Sequence, residues 1–423
     1  LHNEVHARPS ARIRMPALVV YVAVLNEGIT REMEWQHLRQ LPGQEGLTLE
    51  HLSGNFQRLR FANHTLKWER HTEFTRYSLV QALPEDALTH GDDDTLIQSL
   101  VVAPQWLATI PGRTVAAIMM AMIEGDVDDL AGMRQTGESW IEGRETMASL
   151  LGLRRSCVMT DFRLRDSGFE HLLVISPPGT TELRVGRISQ RLLELETYRL
   201  MALRGLPVAK EMGPLLTQAE SQLAEIMARM ENAETSDQEL LNTLIGLAAR
   251  IERATATHMY RFSATMAYQS LVEQRIEQLR ETPIPGTQTV GEFMLRRLSP
   301  AIATVQATSQ RLSSLSQRVE RASALLRTRV DIATESQNQM LLEKLTKGQD
   351  LQLRLQSTVE GLSIAAIAYY VVSLILYVGK AGKAAGLPVN PEILAGALIP
   401  LVLAGVWWGT RQIHKKLTHS DGH

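Results

Sequence analysis

Four residues at the start of the chain are of types that bind metals or move protons. His2, Glu4, His6 and Arg8 stand at alternate positions in LHNEVHARPS. A zinc protease needs H-E-x-x-H on a helix, so that both histidines share a face and the glutamate reaches the bound water. Here the order is H-x-E-x-H, and Pro9 pushes Arg8 toward extended backbone. Extended, the four polar residues line one side of a strand, with Val5 and Ala7 on the other. Such a row suits docking on another surface, and His2 and His6 stand as candidate metal ligands. Two acidic clusters offer hard oxygen donors: GDDDT at Gly91–Thr95, and GDVDDL at Gly125–Leu130, which holds Asp126, Asp128 and Asp129. Helix caps and surface turns use the same residues. In HTLKWERHTEF a single strand would put Glu69, His71 and Glu73 on a polar face, with Trp68 and Phe74 on the buried one.

No G-x-x-x-x-G-K-[ST], G-x-G-x-x-G, G-x-S-x-G or C-x-x-C occurs, so the common nucleotide, hydrolase and thiol-redox motifs are missing. We therefore expect no enzymatic activity and no resident cofactor, with a divalent cation the one candidate guest. The charge is nearly balanced, 44 basic against 46 acidic residues, which argues against a nucleic-acid partner. One cysteine, Cys157, excludes an internal disulfide and reads as a buried structural thiol.

The chain's apolar end says most. From Gly361, GLSIAAIAYYVVSLILYVGK runs without charge until its last residue, long enough to cross a hydrocarbon core of roughly 30 Å. ILAGALIPLVLAGVWWG, Ile393 to Gly409, is a second such run. Between them Asn390, Pro391 and Glu392 read as a helix start: a capping residue, proline at the first position, an acid in the first turn. Trp407 and Trp408 suit an aromatic belt. Lys344, Lys347 and Arg354 precede the first run, and Arg411, Lys415 and Lys416 follow the second, which places both termini in the cytoplasm. In the first run Ser363, Tyr370, Ser373 and Tyr377 share one helical face. That stripe either lines a wet path or hydrogen-bonds a neighbouring helix. Asn390 and Glu392 are the loop candidates.

Upstream, residues 181–360 read as helices: one ending near Gly205 and Pro207, one from about Gly213 to Asn232, and one from about Ser236 to Glu281. TPIPGTQT breaks the pattern, and a last helix starts or kinks at Pro300. Leu312, Leu315, Val319, Ala322 and Leu326 keep a heptad-like seam on it. Nearer the start, Ala17–Leu25 and Arg113–Ile123 read as strands, TREMEWQHLRQL and SWIEGRETMASLLG as helices, and Cys157 lies in a hairpin turning at Asp166–Gly168. The fold class is α+β: a cytoplasmic mixed α/β sheet domain (1–180), a long-helix stalk (181–360), a two-helix transmembrane hairpin (361–410) and a basic tail (411–423).

NEVHARP, WERHTEF and GRISQRLLELETYR, scattered over most of the chain, resemble an uncharacterised family of bacterial membrane-anchored proteins, the domain of unknown function numbered thirty-four twenty-two. That resemblance implies the bacterial inner membrane and carries no catalytic residues. The order of elements is also similar to that of CorA-type divalent-cation channels, which are homo-oligomers whose first span lines the pore. That likeness implies ion transport. CorA-type channels carry Gly-Met-Asn at the end of the first span, where this chain reads YVGKAGK. The expectations are thus a bilayer partner, a homo-oligomer, and either a CorA-like channel or a membrane-anchored scaffold or sensor whose cytoplasmic domain binds a partner yet unknown.

Overall fold

The computed structural model describes residues 11–88, 90–141, 146–232, 236–385 and 390–418. Its first strand, β1 (Ala17–Leu25), is buried along its whole length. Four of its nine residues are valines, whose branched side chains fit a pleated surface covered on both faces. It is a central strand, pairing antiparallel with β4 (Phe74–Ala82) on one edge and β5 (Arg113–Glu124) on the other. Beyond β4 lie β3 (His64–Arg70) and β2 (Phe56–Arg60). Beyond β5 come β8 (Glu170–Ser176), β7 (Ser156–Leu164), β6 (Met147–Leu151) and the two-residue β9 (Thr282–Pro283). The nine strands form one sheet, antiparallel except where β8 runs parallel to β5.

Alternation along β1 splits the core in two. Leu18, Val20, Val22 and Val24 face one side with Trp68 and Tyr77. That side is covered by α1 (Arg31–Leu38), α3 (Pro104–Ala108) and α4 (Leu130–Trp140), and the short α2 (Asp93–Gln98) lies near it. Val19, Tyr21, Ala23 and Leu25 face the other side, under α5 (Glu182–Leu203), α7 (Asp237–Leu279) and the start of α8 (Val290–Ala384). On α5, Val185, Ile188, Leu192 and Leu195 recur at three- and four-residue steps and are buried there. Gly186 lets α5 approach closely, since a Cβ at that position would lie 1.7 Å from the Ala11 carbonyl oxygen.

The compact first unit runs from Leu1 to Ser323 and contains the sheet together with the helices from Glu182 onward. α6 (Gly205–Asn232) packs against α7, and Arg311 of α8 pairs with Glu220 of α6 at 2.8 Å. The expected seam residues Leu312, Leu315, Val319, Ala322 and Leu326 are all buried. The second unit, from Ala324, holds the rest of α8 and α9 (Pro391–Thr418).

Several local expectations are corrected. SWIEGRETMASLLG is not one helix: α4 ends at Trp140, and Met147–Leu151 is strand β6, every residue of it buried. A short apolar run is ambiguous by pattern, and here the partners decide, β7 on one edge and β9 on the other. The helix expected from Gly213 begins at Gly205, with Pro207 in its first turn, where a missing N–H costs nothing. Pro300 neither starts a helix nor ends one; it lies inside α8. Trp68 and Phe74 do not share a face, because β3 stops at Arg70 and the turn before β4 resets the alternation.

Candidate functional site

Every residue from 331 to 363 of α8 is exposed. Leu341, Leu345, Leu355, Val359 and Leu362 keep four-and-three spacing along this stretch, at 57–68% exposure, interrupted by Gly348 and Gln352. At about 100° per residue these positions and the polar stripe, Ser363, Tyr370, Ser373 and Tyr377, fall within an arc of roughly 100°. An apolar seam in the charged part of the helix thus continues, on the same face, as the hydroxyl-bearing stripe of the apolar part. Glu343, Lys347, Asp350 and Arg354 lie around the opposite side, where Lys347 and Glu343 pair at 2.7 Å.

Among the described residues two helices are long and apolar enough to cross a membrane, α8 through its C-terminal part and α9 over Pro391–Thr410. They meet as a hairpin. Gly379 lies against Pro391, where a Cβ on the glycine would be 3.2 Å from the proline ring, and Ala368 and Ala395 are each 4% exposed. Ala368 and Gly379 lie roughly half a turn around α8 from the stripe. Tyr370 and Tyr377 therefore face away from the chain's own second span, at 68% and 70% exposure.

The remaining candidates stand apart from the stripe. Asn390 precedes α9 and its carbonyl accepts from Leu394 N–H at 3.1 Å, with Pro391 first in the helix and Glu392 in its first turn. Neither Asn390 nor Glu392 is brought onto the stripe's face. Asp129 caps α4 by accepting from Gly132 N–H at 3.0 Å, and Asp126 accepts from Asp128 N–H at 2.9 Å. Among the described residues no three His, Cys, Asp or Glu side chains are arranged to hold a metal ion. His2 and His6 lie outside the described residues. Cys157 is buried, and burial pushes its thiol up to about 12.

Sequence reasoning missed the ionic interior under α5. Arg76 donates to Glu69 at 2.6 Å and to Glu194 at 3.1 Å; Lys67 approaches Glu69 at 3.0 Å and Arg275 approaches Glu194 at 2.6 Å. Burial alone would raise the Glu69 carboxyl, but Arg76 and Lys67 together hold it at about 2. On the other acidic pair the balance reverses. Burial first, then the neighbouring Glu196, raise Glu170 to about 8 against the pull of Arg199. Between its ordinary value of 4.5 and about 8, the folded chain keeps a proton on Glu170 that the unfolded chain releases. This group's stabilisation is therefore full at acid pH and is lost as pH rises through that window. Glu170→Gln should remove that slope, so thermal melts should favour the variant more at pH 9 than at pH 5. Parallel pH profiles for variant and parent would refute the proton retained on Glu170. No side-chain pattern in the sequence announces these pairs, because their members lie up to 118 residues apart.

Fold and surface together define a class: an α+β sheet protein carrying a C-terminal pair of helices suited to a membrane. The chain belongs to the family described as "Protein of unknown function (DUF3422)", which matches residues 1–417. No curated protein matches it.

Proposed function

We propose that the chain is a membrane-anchored homo-oligomeric scaffold or sensor, its copies joined side by side along the α8 stripe. The observation that carries this is the stripe's direction: its hydroxyls and leucines face away from the second span. In hydrocarbon, hydroxyl groups gain by bonding a neighbouring helix. In water, a row of exposed leucines gains by covering itself. Two copies inserted in one membrane carry the row at one depth and in one direction, so each finds the same residues opposite. The hairpin is the anchor, with both termini on the cytoplasmic side according to the lysines and arginines that flank it. The N-terminal sheet unit is the part that engages a partner, and no chemical step is assigned to it.

Cross-linking tests the assembly. With Cys157 buried, Leu355→Cys and Ser373→Cys should each give disulfide-linked dimers in membranes under mild oxidation, while Ser357→Cys, on the opposite face, should not. Equal cross-linking at all three positions would sink the seam.

A second reading rests on Ser363 and Ser373, small hydroxyl residues that alternate with the tyrosines and leave room between rings. On this reading the stripe lines an ion path of CorA-like architecture. Purified protein in liposomes would then conduct ions, with flux altered by Tyr370→Phe or Tyr370→Asp. An electrically silent oligomer that still cross-links decides for the scaffold.

A further inference from the structure

At the far edge of the sheet from β2, five arginines converge on one open cleft of about 480 Å³: Arg155, Arg184, Arg187, Arg191 and Arg280. Three elements build it. α5 supplies Arg184, Arg187 and Arg191, which at steps of three and four residues share one face. The turn after β6 supplies Arg155. The end of α7 supplies Arg280, its cap residue, in the left-handed conformation at φ 50°. A backbone hydrogen bond from Gly152 N–H to the Leu279 carbonyl, 2.9 Å, ties the turn to the helix end. Next to it, Leu153 and Arg154 also take positive φ, 62° and 65°. Strained backbone of this kind persists only where surrounding structure enforces it, and it concentrates at ligand clamps.

The cleft has no matching negative charge. No Asp or Glu lines it, and the other lining residues are Leu151, Gly152, Leu153, Ile188, Gln278 and Leu279. Among the described residues Arg155, Arg184, Arg187 and Arg280 make no ion pair; Arg191 donates to the Gln278 carbonyl at 3.0 Å. The C-terminal dipole of α7 offers only about half a negative charge against five guanidinium groups. Burial lowers Arg184 and Arg191 and the neighbouring arginines lower them further, with only a smaller opposing pull from Glu194 on Arg191, a carboxylate already engaged by Arg76 and Arg275. The cluster thus repels itself, a cost that a bound polyanion would reverse. By contrast, the larger cleft of about 600 Å³ beside α4 has two arginines already engaged, Arg134 with the Pro285 carbonyl and Arg296 with Gln288.

We propose that the Arg155–Arg184–Arg187–Arg191–Arg280 cleft is a binding site for a compact polyanion bearing two or more phosphate groups. Planar guanidinium forks match phosphate oxygens two at a time, and the volume suits a small ligand. The ligand is either a soluble polyphosphate compound or a diphosphorylated lipid headgroup. The site stands independently of assembly along α8.

Binding to the full-length chain in detergent distinguishes the sources. Inorganic triphosphate is titrated calorimetrically in one arm, and in the other micelles containing cardiolipin are compared with micelles containing only phosphatidylcholine. Arg155 and Arg187 are exposed, so Arg155→Gln/Arg187→Gln should fold, as a melting curve without ligand would check. Triphosphate binding weakened at least tenfold by the double variant supports the site with a soluble ligand. Cardiolipin binding alone, weakened equally, supports it with a lipid. Binding of neither probe, or binding unchanged in the folded double variant, overturns it.

Discussion

Arg76→Met should destabilise the sheet unit by about 3 kcal/mol, the lower end of what breaking a buried ion pair costs. Arg76 is 3% exposed and is the only described residue that bonds both Glu69 and Glu194. Its loss would leave each buried carboxylate with a single cation, Lys67 for one and Arg275 for the other. Those remaining partners are why the expected loss is not larger. Arg76→Lys keeps the charge but cannot fork between two carboxylates, so it should recover only part of the stability. The pH dependence adds a second reading. The depressed carboxyl of Glu69 contributes stability above its ordinary 4.5 that is lost as pH falls toward 2. Without Arg76 that acid transition should begin at higher pH. Denaturation of variant and parent across pH 3 to 7 would measure both effects, and a loss under about 1 kcal/mol would mean that water already screens the network.

Leu355→Asp with Val359→Asp should weaken self-association at least a hundredfold. In a closed seam each aspartate would face its own copy, placing like charges together in an apolar contact. Both positions are at least 60% exposed in the single chain, so folding of one copy should be untouched. Ser357→Asp, half a turn away, introduces the same charge and should leave assembly intact. Light scattering of detergent-solubilised protein over a dilution series gives the comparison. Should all three charges act alike, the seam would have to lie elsewhere or not exist.

What was legible in the chain was what local pattern controls. The valine run of β1 and the apolar run of β5 announce buried strands because burial on both faces leaves no room for polar alternation. The hairpin at Asp166–Gly168 was legible from its turn residues, with Gly168 at φ 84°. The two uncharged runs near the C-terminus are continuous and need no partner to be recognised. The stripe at Ser363, Tyr370, Ser373 and Tyr377 was readable as a face because helical periodicity is a property of one segment.

Tertiary structure decided the rest. Only the hairpin contact at Gly379 and Pro391 shows which way that stripe faces. β6 looks helical alone and becomes a strand because β7 and β9 supply its hydrogen bonds. Asp126 and Asp129, which could have been metal ligands by type, spend their oxygens on backbone N–H groups nearby. The arginines of α5 are spaced for one face within the sequence itself. Their convergence with Arg155 and Arg280 depends on a turn and a helix end that meet more than a hundred residues apart along the chain. Periodicity is encoded within a few turns of chain, whereas charge partners, clefts and strand neighbours are set by which distant segments pack together.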